Sequence, residues 1–203
     1  MRKIFEIEGS LNSFLTAMYQ IMVINVLTII FSFPLVTMGS AISAGYQLYL
    51  EQDTRPVNLR RYIECFKANS KTALVLTLLH LVVGSLMILL VLLTMNSPIQ
   101  LLSLLLLSFV ALVGMNSLLV TARLKLSVSE CLKFSLVLTM RYTGFFCLSL
   151  AVLVLSFLVP VFLPKLMFLW FFLGIGLPML LHVKIFDYCL SRFQMVVEEG
   201  ASN

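Results

Sequence analysis

The chain has 203 residues, 61% of them hydrophobic and 11% charged, with a formal net charge of +5. Soluble domains run at about 45–50% apolar and about 25% charged, so this chain has too few charges to coat a water-facing surface of its size. The composition excludes a disordered tail protein, a disulfide scaffold and a soluble nucleic-acid binder, and implies an integral membrane protein of a single domain spanning residues 1–203.

Five apolar runs follow one another: residues 14–38, 73–95, 99–122, 142–161 and 166–186. Among them they hold one Lys or Arg, Lys184, and no Asp or Glu. Each has the length needed by a helix to cross a hydrocarbon core of about 30 Å, which takes about 20 residues. A transmembrane barrel would show alternating segments of about ten residues, whereas residues 101–107 are almost continuously leucine. The expected fold is an all-α, polytopic helical membrane bundle with five long apolar helices.

Arg2 and Lys3 precede the first run, as in a secretory leader. The run is too long for a leader core and carries Asn25 and Pro34, so it is expected to be a retained membrane helix. Pro34 cannot continue a helix ladder. With Thr37, Gly39 and Ser40 behind it, the chain is expected to break there and turn back as a short helix over residues 41–50, closing an N-terminal unit of residues 1–50. Gly39, Ala41 and Gly45 allow close helix approach and are candidate interface residues.

Positive loop residues mark the cytoplasmic side. Arg55, Arg60, Arg61, Lys67 and Lys71 lie between the first two long runs, and Arg123, Lys125, Lys133 and Arg141 between the third and fourth. The turns near Asn96-Ser97-Pro98 and residues 160–165 carry only Lys165. With the return helix counted as a crossing, thirteen positives fall inside and one outside, against eleven and three without it. Six crossings with both termini cytoplasmic are therefore favoured.

Glu64-Cys65-Phe66-Lys67 recurs 66 residues later as Glu130-Cys131-Leu132-Lys133, each before a long helical pair. Residues 59–122 and 127–190 are candidate parallel repeat units. The plainer explanation is that amphipathic segments before a span often mix acidic, apolar and basic residues. Residues around Arg60, Tyr62, Ile63, Phe66, Lys67 and Lys71 are expected to form such an interfacial cytoplasmic helix.

Asn25, His80 and Asn116 are polar groups within apolar runs and are the candidate binding residues of the bundle interior, with interhelical hydrogen bonding as the simpler role. Thr77, His80 and Gly84 share a helical face. His182, Lys184 and Asp187 are expected to anchor the last helix at the interface, the latter two pairing across three positions. Gly174, Gly176 and Pro178 are read as a packing notch with a proline kink; the alternative is a broken helix whose freed carbonyls coordinate an ion or sugar. Phe168, Trp170, Phe171 and Phe172 are read as an aromatic belt.

Cys65, Cys131, Cys147 and Cys189 lack ligand spacing, and two histidines 102 residues apart lack acidic or Cys companions. No disulfide, metal or cofactor is expected. With no nucleophile motif, phosphate loop or nucleotide fingerprint, the chain is not expected to be an enzyme.

Glu8-Gly9-Ser10-Leu11, Asn25-Val26-Leu27, Pro34-Leu35-Val36-Thr37-Met38-Gly39 and Tyr62-Ile63-Glu64-Cys65-Phe66-Lys67-Ala68-Asn69-Ser70-Lys71 together resemble the YesL-like family of bacterial membrane proteins, a domain of unknown function. The resemblance spans most of the chain and is densest in the first 75 residues. It implies a bacterial cytoplasmic membrane protein associated with carbohydrate import systems, with ABC importer permease subunits as partners beside the lipid bilayer. It supplies no catalytic residues. Two roles follow: an accessory subunit using the small-residue helix as its contact, or an independent small-solute transporter or channel built around Asn25, His80 and Asn116. Self-association is compatible with both, and a nucleic-acid partner with neither.

Overall fold

The computed structural model describes residues 2–51 and 57–201; Arg55 lies outside them. Every regular element among the described residues is helical: α1 (Arg2–Ser32), α2 (Met38–Leu50), α3 (Leu59–Leu93), α4 (Ile99–Leu124), α5 (Val128–Arg141), α6 (Thr143–Phe162), α7 (Met167–Leu173) and α8 (Gly176–Ala201). Four helical segments are long and apolar enough to cross a membrane, namely Phe14–Ser32 of α1 together with α3, α4 and α6. Pro164–Leu173 and Gly176–Gln194 would make a fifth, bent by 49°.

The first run breaks at its proline. Helix α1 ends at Ser32, Pro34 is extended, and a single 3-10 turn, Leu35–Thr37, leads into α2. A proline pushes the residue before it out of the helical region. The Thr37 hydroxyl meets the carbonyls of Phe31 and Pro34 at 2.8 and 2.9 Å, so the exposed end of α1 is capped from the turn itself.

Helix α2 has 13 residues, about 20 Å of helix at 1.5 Å per residue, well short of a hydrocarbon core. Ten of those residues are buried, which makes α2 an interior element rather than an outward-facing span. A Cβ on Gly39 would collide with the Thr77 hydroxyl, and one on Gly45 would sit 2.6 Å from Met179 and 3.1 Å from the Thr28 hydroxyl. Gly39, Ala41 and Gly45, expected at an interface with a partner, are instead buried against the chain's own α1, α3 and α8. The close approach is real, but its beneficiaries are intramolecular.

Helix α3 runs unbroken for 35 residues, about 52 Å. The separate interfacial helix expected near residue 62 does not form, because no Gly or Pro interrupts the chain before Gly84. Tyr62, on the apolar side of that stretch, faces its neighbours: it is fully buried and donates to the Ala41 carbonyl at 3.0 Å. Asn58 caps the start by accepting from the Arg61 amide at 2.9 Å. In the second unit the corresponding stretch is divided. Helix α5 starts with a capping box, in which Ser127 accepts from the Glu130 amide and Glu130 from that of Ser127, and it ends at Arg141, with Tyr142 between it and α6.

The core is concentrated at the end bearing Arg61, Arg123 and Arg141, where Tyr62, Leu119, Leu138, Phe146 and Phe186 are almost wholly buried. Toward the other end, α3 and α4 form a hairpin turning at Asn96, which takes a left-handed φ of 65°. That half leaves Leu86, Leu89, Leu93, Leu101 and Leu105 exposed. In water such a surface would aggregate; in lipid it is the ordinary outer face of a span.

Candidate functional site

The last apolar run is broken, not merely kinked. Helix α7 ends at Leu173 and α8 starts at Gly176. Pro178, the presumed cause of a kink, lies in the first turn of α8, where its missing N–H removes no internal hydrogen bond. Several backbone groups at the break are bonded by side chains from three other helices. Asn25 donates through Nδ2 to the Phe171 carbonyl at 2.6 Å, and its Oδ1 accepts from the amides of Ile175 at 2.8 Å and Gly176 at 2.6 Å. Tyr49 donates to the Gly176 carbonyl at 3.0 Å, and the Ser156 hydroxyl donates to that of Gly174.

One fully buried asparagine thus bridges both sides of the break. Its two ends, one donor and one acceptor, match the last carbonyls of a stopping helix and the first amides of a starting one. Gly174 and Gly176 permit the approach, since a Cβ on the first would strike the Trp170 ring and one on the second would lie 3.0 Å from the Tyr49 hydroxyl. Trp170 turns inward against Phe157, ring centroids 5.7 Å apart, and its buried Nε1 has no hydrogen-bond partner among the described residues. It is not the outward anchor an aromatic belt would use, although Phe168 is exposed.

Beside the break lies a cavity of about 360 Å³. One wall comes from α3 and α4 through His80, Gly84 and Gly114, and the other from α6 and α8 through Phe157 and Pro178. Tyr46 of α2 also lines it. His80 Nδ1 is 2.7 Å from the Leu76 carbonyl. A carbonyl only accepts, so Nδ1 carries a proton, and in the neutral ring Nε2 is left as an acceptor. The ring lies against Gly114, where a Cβ would come within 2.8 Å of it.

Asn116, fully buried on α4, donates to the Thr139 hydroxyl at 2.7 Å, while its Oδ1 has no partner among the described residues. Among the described residues no hydrogen bond joins Asn25, His80 and Asn116. Asn25 holds the break, His80 lines the cavity and Asn116 ties α4 to α5. His182 is also placed differently from an interfacial anchor: it is fully buried, with Nδ1 2.7 Å from the Ser149 hydroxyl and its ring 5.5 Å from that of Tyr46. Asp187 lies 3.9 Å from Arg123 rather than pairing with Lys184, which points outward.

A second polar cluster sits at the charged end. Asn69 donates to Gln47, Gln47 to Glu51, and Arg61 to Glu51, at 2.8, 2.8 and 2.7 Å. Burial alone would raise the Glu51 pKa. The hydrogen bonds from Gln47 and Arg61 and the charges of Arg61 and Lys125 outweigh it and hold the carboxyl below its ordinary value. The four cysteines are free, and three of them are buried.

Tyr46, Tyr49, Ser156 and Gly114 were not singled out in the sequence, whereas Gly84 was, on one face with Thr77 and His80. One signal was available: His80 and Gly114 lie seventeen residues either side of Ser97, so a helical hairpin turning there sets them opposite each other. Nothing local links Asn25 to residues some 150 positions away. Compared with known proteins, the chain matches no family model, no curated protein and no solved structure.

Proposed function

We propose that this chain is an integral membrane accessory protein of the bacterial cytoplasmic membrane that assists a carbohydrate ABC import system without itself conducting the sugar. The import association rests on the resemblance to the YesL-like family. The observation that favours helper over conductor is the disposal of polar groups. The backbone atoms freed at Gly174–Gly176 are bonded by Asn25, Tyr49 and Ser156, and the cavity beside them has no Asp, Glu, Lys or Arg in its wall. A sugar presents many hydroxyls, each needing a partner once it leaves water, and few are on offer.

In this proposal the chain crosses six times with both termini cytoplasmic, α1 and α2 forming the first pair and α2 enclosed by its neighbours because it is too short to face lipid. Gly39, Ala41 and Gly45 are interior, so a permease would be met by an exposed apolar face such as that of α3 and α4, around Leu89 and Leu101. An independent small-solute transporter is favoured by one feature, a broken helix beside a cavity, as in transporters.

Capture of the full chain from native membranes in mild detergent, with uptake assays in reconstituted liposomes, separates the two. An accessory subunit is recovered stoichiometrically with a permease pair and its ATPase, and its liposomes take up no sugar. Recovery without the permeases, together with solute uptake by the chain alone, would overturn the accessory role.

A further inference from the structure

We infer that the cavity between the two helix pairs binds a neutral single-chain lipid, a hydrocarbon chain ending in a hydroxyl group. Its volume of about 360 Å³ falls in the range of roughly 300–1,000 Å³ typical of small-ligand sites, which are mostly apolar with a few placed polar groups. Leu107, Val110 and Leu153 supply the apolar wall. With no charged residue lining it, the cavity offers nothing to neutralise a phosphate, a carboxylate or an ammonium. A phospholipid headgroup is therefore a poor occupant, and so is an ionised fatty acid.

The few polar groups are complementary to one hydroxyl. Tyr46 is 2% exposed and lines the cavity, and among the described residues its hydroxyl makes no hydrogen bond. It is an unused donor. His80 Nε2 is an unused acceptor, because Nδ1 carries the ring proton toward Leu76. A ligand hydroxyl donates to the histidine and accepts from the tyrosine. Thr28 and Ser32 also line the cavity. Such a chain enters from a bilayer, so the inference shares the membrane placement proposed above but is independent of any import partner.

Gly84 supplies the test. It lines the cavity, and a Cβ there meets nothing within 4 Å, so Gly84→Leu enters the cavity through an unobstructed Cβ and improves helix propensity. Gly144 is equally open and lies away from the cavity wall, which makes Gly144→Leu the matched control. The full chain in lipid nanodiscs is photolabelled with a diazirine-bearing hexadecanol. Labelling is expected to saturate, to map to peptides carrying Tyr46 or His80, and to be competed about tenfold better by hexadecanol than by hexadecane or hexadecylphosphocholine. Gly84→Leu should cut it about tenfold, Gly144→Leu should leave it unchanged, and Tyr46→Phe should erase the preference for the alcohol over hexadecane. Unsaturable labelling spread over the outer faces of α3 and α6, or labelling indifferent to Gly84→Leu, overturns the site. Equal competition by hexadecane and hexadecanol overturns the hydroxyl as the recognised group. A copurification result for the import system alters none of these outcomes.

Discussion

Helices α3 and α4 form a continuous hairpin, whereas the chain from α6 to α8 covers the same kind of path in pieces. The first pair closes its backbone bonds within each helix and turns at a single left-handed residue, Asn96. The second is broken at Gly174–Ile175 and depends on Asn25, Tyr49 and Ser156 from α1, α2 and α6. In a hydrocarbon environment an unbonded peptide group is costly. A straight helix therefore tolerates a loose outer half, while a broken one is obliged to be packed. The comparison explains why α1 and α2 sit against α8: they carry the polar groups that the break requires.

The largest expected effect strikes that dependence. Asn25→Leu leaves the Ile175 and Gly176 amides and the Phe171 carbonyl without their partner, and should destabilise the fold by about 3 to 9 kcal/mol at about 1–3 kcal/mol per orphaned group. Leu89→Ala, on the exposed face of the intact hairpin, should change stability by less than about 0.5 kcal/mol. Denaturation midpoints of both variants in one mild detergent measure the contrast. Equal losses would mean that the broken pair is no more dependent on tertiary bonds than the continuous one.

How much of this was legible varies along the chain. Apolar runs gave the helices, and Pro34 with the small residues after it gave the return helix, because both signals are local. The continuity of α3 was legible too, in the absence of any Gly or Pro from Leu59 to Val83, but the charges of Arg60 and Lys67 suggested a surface helix. Tyr62 shows why that inference misled: a tyrosine among charges can still reach into the core, where its hydroxyl finds the Ala41 carbonyl. At Gly174–Pro178 the sequence marks a disturbance and not its kind. Whether a helix bends or breaks depends on whether a partner exists for the freed groups, and that partner, Asn25, is remote in sequence. The burial of His182 followed from Tyr46, Phe146 and Ser149 converging on it from α2 and α6, which its place near Lys184 could not disclose.

The next effect sharpens the same comparison from the side of the intact hairpin. Gly39→Ala places a methyl against the Thr77 hydroxyl where α2 meets α3. Overpacking of this kind costs about 1 to 3 kcal/mol. Thr77→Ala removes the colliding oxygen, which otherwise bonds only within its own helix to the Ala73 carbonyl at 2.6 Å. The double variant should recover much of the loss, giving a coupling of about 1 to 2 kcal/mol in a double-mutant cycle on denaturation midpoints. No coupling would place the strain elsewhere in α2.

The smallest effect concerns the charged end, where α2 is tied to α3 by the chain from Asn69 through Gln47 and Glu51 to Arg61. The Glu51 pKa is lowered in the folded protein, so the folded state binds its proton less readily than the unfolded chain does. The resulting stability is fully present above the ordinary Glu value of about 4.3 and is lost as pH falls through the lowered folded value. Because the Glu51 side chain is 41% exposed, solvent screening keeps the contribution below about 1 kcal/mol. Glu51→Gln should therefore flatten the acid limb of the stability profile and leave the pH 6–8 region only slightly lowered. An unchanged acid limb would show that other carboxylates govern it, and that the tie between α2 and α3 rests on the glycine contact and the Asn69–Gln47 bond rather than on charge.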